Sequence, residues 1–464
     1  MNRLYTGAAL VAAAALAVGG VAAGHLSGRS NADRAATVDL AVSVPGDGGG
    51  SAAVANAVQQ TRKMIESPFL LHSASVLTTD LEALDPAGMD SYLATLSNSE
   101  LRSLDRVLRP QFSGPAAPRQ IADQARRRLV NALLDRASGR NVTRITPLLT
   151  FLQPELRTSD GAWQKNTKWD FQYTPAIGRP GGLYGPADGP DLHDADQRDL
   201  NDCYFHAELL SLARRDPIWV EHNITQNDNG TYTVTFYPGG TATKIDITAN
   251  LPYFSYTDKN GIQQSGWTYG GIQSGIWIAL YEKAYAQLKG GYPAIEGNDP
   301  LSPQAWTGAA YTDLTGNASE RAGKFTASTS VVSAPSLDTI ARWLTAGKAV
   351  VTSSNPYTNG LLIFPDAPNP FVDGFIDVPA QPVGDNGAAQ GASQTNVVDS
   401  RHEYVVESVD TKNRTITLAN PWGSKSGTPW QFRITEGVYH KSFMDAAAVQ
   451  LPSVPGDYPP PNVA

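Results

Sequence analysis

Cys203 is the only cysteine in the chain. It opens an apolar run with helical spacing that continues through Phe205, Leu209, Leu210, Leu212 and Ala213. A sulfur at a helix N-terminus faces the positive end of the macrodipole, which favours thiolate over thiol. Just upstream, Gln197 carries a side-chain amide that could donate a hydrogen bond near that sulfur. A thiolate nucleophile also needs a base that moves protons, a group that orients the base, and donors for a tetrahedral oxyanion. His402 and Asn420 have the types for the first two roles. Residues 400–409 and 414–419 alternate like two strands of a hairpin. Antiparallel pairing would bring His402, near the start of one strand, beside Asn420 at the end of the next. Singly, each residue is weak evidence. A lone cysteine is by default a small buried hydrophobe, and His206, one turn along the Cys203 helix, is an alternative base.

Several elements must position these groups. After the Asn229-Gly230 turn, residues 231–236 and 244–248 read as strands, separated by Pro238-Gly239-Gly240. Residues 275–286 form a strong helical pattern that stops at Gly290-Gly291. Residues 336–346 predict a helix capped by Ser336, followed by a short strand at 349–351. Upstream, residues 56–155 read as a small all-α region. It includes a helix over 89–96, a cap signal at Ser97 and Glu100, and a helix over 117–137 whose Arg126, Arg127 and Arg128 form a solvated face. This region could be an inhibitory prosegment, a docking domain or a spacer. The glycine-rich stretch 179–185 lacks a following Gly-Lys-Ser/Thr and reads as a turn-rich approach rather than a phosphate loop. Asp188, Asp191, Asp194 and Asp196 precede Gln197, as either a solvated acidic loop or oxygen ligands for a hard cation.

The 464 residues carry a net charge of −8 and no dense basic run, which argues against a nucleic-acid partner. Asn2 and Arg3 precede an Ala/Val/Leu-rich run over about residues 6–23 that ends in small residues. This is a secretory signal, or an anchor if it stays uncleaved, and only then would the chain touch a membrane. Either reading makes the protein secreted or cell-surface. A single thiol there has no intramolecular disulfide partner. The expected division is a signal or anchor at 1–23, a flexible tether at 24–55, the helical region at 56–155, a catalytic domain at 160–451 and a disordered tail at 452–464.

The order Gln, Cys, His, Asn is that of papain-like proteases, and over about residues 165–450 the chain resembles the protease core of the calpains. Gln197-x-x-Leu200-x-Asp202-Cys203-Tyr204 is similar to Gln-Gly-x-Leu-Gly-Asp-Cys-Trp. Residues 277–286, with Trp277, Leu280, Glu282, Lys283, Ala284, Tyr285 and Ala286, resemble the Phe-Trp-x-x-Leu-x-Glu-Lys-Ala-Tyr-Ala helix. Trp306-Thr307-Gly308 resembles Phe-Thr-Gly, and His402-x-Tyr404 and Asn420-Pro421-Trp422-Gly423 match His-Ala-Tyr and Asn-Pro-Trp-Gly. The resemblance implies an α+β, two-lobed papain-like fold with a helical lobe carrying Cys203 and a β-rich lobe carrying His402 and Asn420. It implies an endopeptidase acting on protein or peptide substrates through a thioester, with no organic cofactor. Cys203 is then the nucleophile, His402 the base and acid, Asn420 the orienter, and Trp422 a cover over the His–Asn bond. The Gln197 amide and the Cys203 backbone N–H form the oxyanion hole. Calpain cores bind two calcium ions, and Asp194 and Gly189 fall where the first site has ligands. The second site is thinner, since Asp299 is the sole acidic residue before Thr307 and residues 424–427 lack acids. The pattern departs at Asn201, Tyr204, Arg401 and Glu403. On the same machinery, acyl transfer or amide hydrolysis and a degenerate, binding-only domain are the alternatives.

Overall fold

The computed structural model describes residues 50–67, 74–113, 119–156, 170–175, 182–185, 189–198, 200–257, 263–267, 275–297, 307–326, 331–354, 361–363, 371–372, 375–377, 395–398, 401–423 and 430–453. The expected leader, Asp188, Asp299, Trp306, residues 424–427 and the tail beyond residue 453 lie outside them.

The first six helices are α1 (Gly50–Glu66), α2 (Ala74–Glu82), α3 (Pro86–Thr95), α4 (Asn98–Ser113), α5 (Arg119–Leu134) and α6 (Gly139–Ile145). Two of them begin at a side-chain cap. Asp85 accepts from Gly88 N ahead of α3, with Pro86 in the first turn. Ser97 and Glu100 form a reciprocal capping box at α4, Ser97 N to Glu100 Oε2 at 2.8 Å and Glu100 N to Ser97 Oγ at 3.2 Å. Met89, Tyr92, Leu93, Leu101 and Leu129 close one buried core among these helices. α1 reaches into the stretch expected as tether up to residue 55. Its Ala-rich start costs little to order, and Ala57, Val58, Thr61 and Met64 are buried, with Thr61 bonded to Tyr92 Oη at 2.8 Å.

The arginine run on α5 is not a solvated face. Successive helical residues point about 100° apart, so three in a row cannot share one side. α5 packs on α2 and α4. Arg126 is buried and donates to the carbonyls of Phe151 and Gln153. Arg127 donates to Leu288 O at 2.5 Å. Arg128 pairs with Glu82 at the surface.

The middle of the chain contributes β1 (Asp170–Pro175), α7 (Cys203–Arg215), α8 (Pro217–His222), β2 (Ile224–Gln226), β3 (Thr231–Phe236), β4 (Thr243–Thr248), β5 (Asn250–Thr257), β6 (Gln263–Trp267), α9 (Trp277–Lys289) and α10 (Tyr311–Thr315). Strands β2–β3–β4 and β1–β5–β6 form two antiparallel three-stranded sheets. α7 and α9 are buried along most of their length, and Phe205, Leu209, Trp277, Leu280 and Tyr281 centre a second core. α9 ends at Gly290 with φ 98°, a left-handed cap that glycine reaches without a Cβ penalty. Lys283, wholly buried, donates to the carbonyls of Thr248 and Asn250 and so holds the turn from β4 to β5.

The remaining elements are β7 (Glu320–Thr326), β8 (Val331–Ser333), α11 (Leu337–Thr345), β9 (Ala349–Ser354), β10 (Leu361–Ile363), β11 (Phe371–Val372), β12 (Phe375–Asp377), β13 (Thr395–Val398), β14 (Glu403–Asp410), β15 (Thr415–Ala419), β16 (Gln431–Thr435), α12 (Glu436–Ser442) and β17 (Phe443–Val449). Nine of these strands line up as β11-β12-β16-β15-β14-β9-β17-β7-β8, antiparallel except between β12 and β16. Tyr404, Phe432, Tyr439 and Phe443 sit in a third core beneath it. α7 packs against β9 and β14, and Cys203 at its head lies beside Glu403 at the start of β14. Among the described residues no helix is long and apolar enough to cross a membrane.

Candidate active site

The hairpin does what its alternation predicts. Val405 pairs with Ala419, so the residues beyond the ladder emerge at one end of β14 and β15. There, His402 Nε2 lies 2.8 Å from Asn420 Oδ1. Trp422 N donates to the same Asn420 atom at 3.0 Å, which identifies it as the amide oxygen. An oxygen only accepts, so Nε2 carries the imidazole proton and Nδ1 is left as the basic nitrogen. The Trp422 ring stands 4.6 Å from the imidazole, and the Tyr404 ring meets it edge-on at 4.9 Å. Together they keep water from the His–Asn bond. The backbone of His402 is pinned to β9, with His402 N donating to Ser354 Oγ at 2.9 Å and Ser354 N donating to His402 O at 2.8 Å. Burial pushes the imidazole down to about 4, against the raising pull of Asn420.

The turn carrying Asn420 also docks on the segment ahead of α7. Gln197 N donates to Pro421 O at 2.9 Å. Gly423, with φ 73°, sits so close to the Ala195 carbonyl that any Cβ would overlap it.

Cys203 is half-buried at the first position of α7. Its surroundings push the thiol up to about 12. Burial does most of this, followed by the Glu403 carboxylate, while the Glu403 and Tyr204 backbone N–H groups act the other way. The thiolate expected from the helix terminus is therefore not favoured in this conformation, because desolvation and nearby carboxylates outweigh the dipole. Gln197 also departs from expectation. Its Nε2 donates to Leu200 O at 2.8 Å and to Asp202 Oδ1 at 3.2 Å, so both amide hydrogens are engaged rather than presented to an oxyanion.

Asp194 serves the local backbone. Asp194 Oδ2 accepts from Asp191 N at 3.0 Å, closing a capping box, and from Trp277 Nε1 at 2.8 Å. Gly189 faces the Glu221 carboxylate. Calcium takes six to eight oxygens. Among the described residues no group of three acidic or imidazole side chains includes Asp194. Asp196 pairs with Arg198 and is not a solvated acid.

Sequence reasoning missed three features. Ser354 reaches His402 only through long-range pairing of β9 with β14. Glu208 and Glu403 are buried, and burial raises both carboxyls; Asp313 pushes Glu208 further up, Glu208 does the same to Glu403, and Glu403 faces the thiol from β14. Glu208, a charge inside an apolar helical run, was the readable sign. Asp202, His206 and Glu282 cluster with their ligand atoms within 4.8 Å, all buried, an arrangement that could hold a metal ion. His206, the alternative base, is enclosed there: its Nε2 is 3.1 Å from Glu282 Oε2 and 3.5 Å from Asp202 Oδ2.

Residues 179–436 match the model of the calpain family cysteine protease domain. Calpain-5 of Mus musculus is 29% identical over 144 residues, 29% of this chain and 20% of that protein. Calpain clp-4 of Caenorhabditis elegans is 27% identical over 137 residues, 28% of this chain and 17% of its own length. Calpain-A of Drosophila melanogaster is 28% identical over 145 residues, 29% of this chain and 15% of its own. The chain thus spans about a fifth or less of the curated relatives it matches. The family match covers more than half of the chain and contains the Cys203 helix, the hairpin and its Asn-Pro-Trp-Gly turn, so the chain belongs to the calpain family of cysteine proteases.

Proposed function

We propose that this protein is a cysteine endopeptidase with a two-lobed papain-like core, hydrolysing peptide bonds through a thioester on Cys203. The observation that carries the reading is the 2.8 Å His402–Asn420 bond, shielded by Trp422, at the junction where α7 presents Cys203. In the reaction, His402 Nδ1 takes the Cys203 proton and the sulfur attacks the peptide carbonyl. The tetrahedral oxyanion collapses to a thioester as the amine leaves with the proton from His402. Water then attacks the thioester, again deprotonated by His402, and releases the acid and Cys203. Asn420 holds the ring through both proton transfers. The Cys203 backbone N–H and the Gln197 amide serve the oxyanion, Gln197 by exchanging its longer bond, 3.2 Å to Asp202, for the new acceptor.

Thiol and imidazole are both neutral in the conformation described, the one pushed up to about 12 and the other down to about 4. In this reading, substrate binding brings Cys203 and His402 into proton-transfer contact. No step uses calcium. The leader at 1–23 makes the enzyme secreted or cell-surface in this reading.

The deciding experiment is casein hydrolysis by the purified chain and by Cys203→Ala, alongside labelling with an epoxysuccinyl probe. Loss of cleavage and labelling with an unchanged melting temperature supports the reading. Persisting cleavage in Cys203→Ala rejects it. Partition of a casein acyl group to an added amine instead of water would favour acyl transfer.

A further inference from the structure

Asp202 and His206 stand four residues apart at the head of α7, the spacing that puts two side chains on one face of a helix. Glu282 meets them from α9. His206 Nε2 lies 3.1 Å from Glu282 Oε2 and 3.5 Å from Asp202 Oδ2, and the ligand atoms of the three all lie within 4.8 Å of one another. All three side chains are fully buried. Protein donors leave the group incomplete. Asp202 Oδ1 accepts from Gln197 Nε2 and the imidazole meets Glu282 Oε2, whereas Asp202 Oδ2 and Glu282 Oε1 have no hydrogen-bond partner. Asp202 makes no capping bond to the helix either. A buried carboxylate oxygen with no donor is costly, and among the described residues no lysine or arginine pairs with either acid. A single imidazolium would leave the two carboxylates with a net negative charge in the interior. A divalent ion beside a neutral imidazole brings the sum to zero.

We propose that Asp202, His206 and Glu282 bind a divalent transition-metal ion, zinc foremost, in a structural site that ties the head of α7 to α9. A tetrahedral zinc with nitrogen and oxygen donors holds neighbouring ligand atoms about 3.3 Å apart, between the two separations found at His206 Nε2. One imidazole nitrogen with carboxylate oxygens suits zinc or a neighbouring transition ion, whereas calcium asks for six to eight oxygens. Glu282 Oε1, unpartnered, offers a fourth donor through bidentate binding. His206 Nδ1, also unpartnered, carries the ring proton in this state, so that the Nε2 lone pair goes to the ion. Because the ligands are fully buried, the ion enters as the helices pack and presents no open position to a substrate. It bears on the candidate active site only through Asp202, whose other oxygen holds the Gln197 amide. The site is independent of whether Cys203 is a nucleophile.

The test measures zinc by plasma mass spectrometry in the full chain, refolded from urea with zinc sulfate and then desalted. The expected content is about one zinc per chain. It should persist in Cys203→Ala, which excludes the sulfur as the ligand, and fall about tenfold in His206→Gln and in Glu282→Gln. The zinc-loaded chain should melt about 5 °C above the chain refolded with EDTA. X-ray absorption at the zinc edge of the wild type should show imidazole and oxygen donors at roughly 2.0–2.2 Å and no sulfur. That spectrum decides the matter by itself should the ligand variants fail to fold. A folded wild type that takes up no zinc, a sulfur among the donors, loss of the zinc in Cys203→Ala, or a content unchanged in both ligand variants overturns the inference. A folded, zinc-free wild type that cleaves casein overturns this inference and leaves the peptidase reading standing. A zinc-loaded wild type that cleaves nothing does the reverse.

Discussion

Gly423 is wedged against the Ala195 carbonyl, so that the turn carrying Asn420 and the strand of chain leading to Cys203 are fitted to each other at a single residue. The adjacent bond from Gln197 N to Pro421 O, 2.9 Å, belongs to the same seam. Gly423→Ala puts a methyl where the carbonyl lies and strains a backbone at φ 73°. The variant is expected to lose about 2 kcal/mol of stability in urea unfolding and most of its peptidase activity. Wild-type turnover in a folded Gly423→Ala protein would show that the seam does not set the site.

Asn420→Ala removes the acceptor that fixes the His402 tautomer and leaves Trp422 N without its partner. The expected result is a kcat on casein lower by about 100-fold with KM within about threefold of wild type. A loss confined to KM would assign Asn420 to substrate binding.

The depressed His402 makes stability depend on pH in a defined window. Its folded value is about 4, against an ordinary value of 6.5. Above 6.5 both folded and unfolded forms are neutral and the group has no effect. As pH falls through the window, the unfolded chain binds a proton that the folded one refuses, so stability is lost between 6.5 and 4. Urea midpoints at pH 7 and pH 5 should differ less in His402→Phe than in wild type. Equal differences would mean that other groups control the acid limb.

The helical region is fastened to the catalytic part by polar bonds as well as packing. Asn131 on α5 donates to Lys244 O at 2.7 Å and accepts from Asp246 N at 3.0 Å, standing in for a further strand along the β4 edge. Gln153 reaches Thr248 at 2.9 Å. Arg126→Ala orphans two buried carbonyl groups and should cost about 3 kcal/mol, read from the urea midpoint. A chain beginning at residue 155 is expected to melt earlier and to be no more active. Higher activity in that truncation would make the region an inhibitory prosegment instead.

Arg401 occupies the position where the calpain pattern has glycine, and its φ of 57° is the conformation glycine adopts freely. Arg401→Gly should therefore be neutral or gain up to about 1 kcal/mol, whereas Arg401→Val should lose about 2. Urea unfolding of both separates backbone strain from any side-chain role.

Local signals in the sequence were sufficient for some of the elements. Period-2 alternation placed β3, β4, β14 and β15, and Ser336, Gly290 and the Ser97–Glu100 pair marked helix ends where the chain turns. A two-stranded hairpin has a short-range register, so the approach of His402 to Asn420 was legible too. The arginine run on α5 was misread because composition reports charge but not which neighbours lie on each side of a helix. The carboxylate of Asp194 was legible as an acid and its commitment to Trp277 was not, since that partner lies on a different helix.

By itself, the sequence determined which groups are available for chemistry and the local frames that carry them: a thiol at a helix start, and an imidazole and an amide at one end of a hairpin. Those are short-range properties of spacing and period. Only the tertiary structure decided the state of those groups. The thiol is pushed up, the imidazole down, and the Gln197 amide tied to Asp202, because burial and the carboxylates of Glu403 and Asp202 converge from separate elements. Desolvation and Coulomb terms depend on distances between parts of the chain that no local pattern encodes.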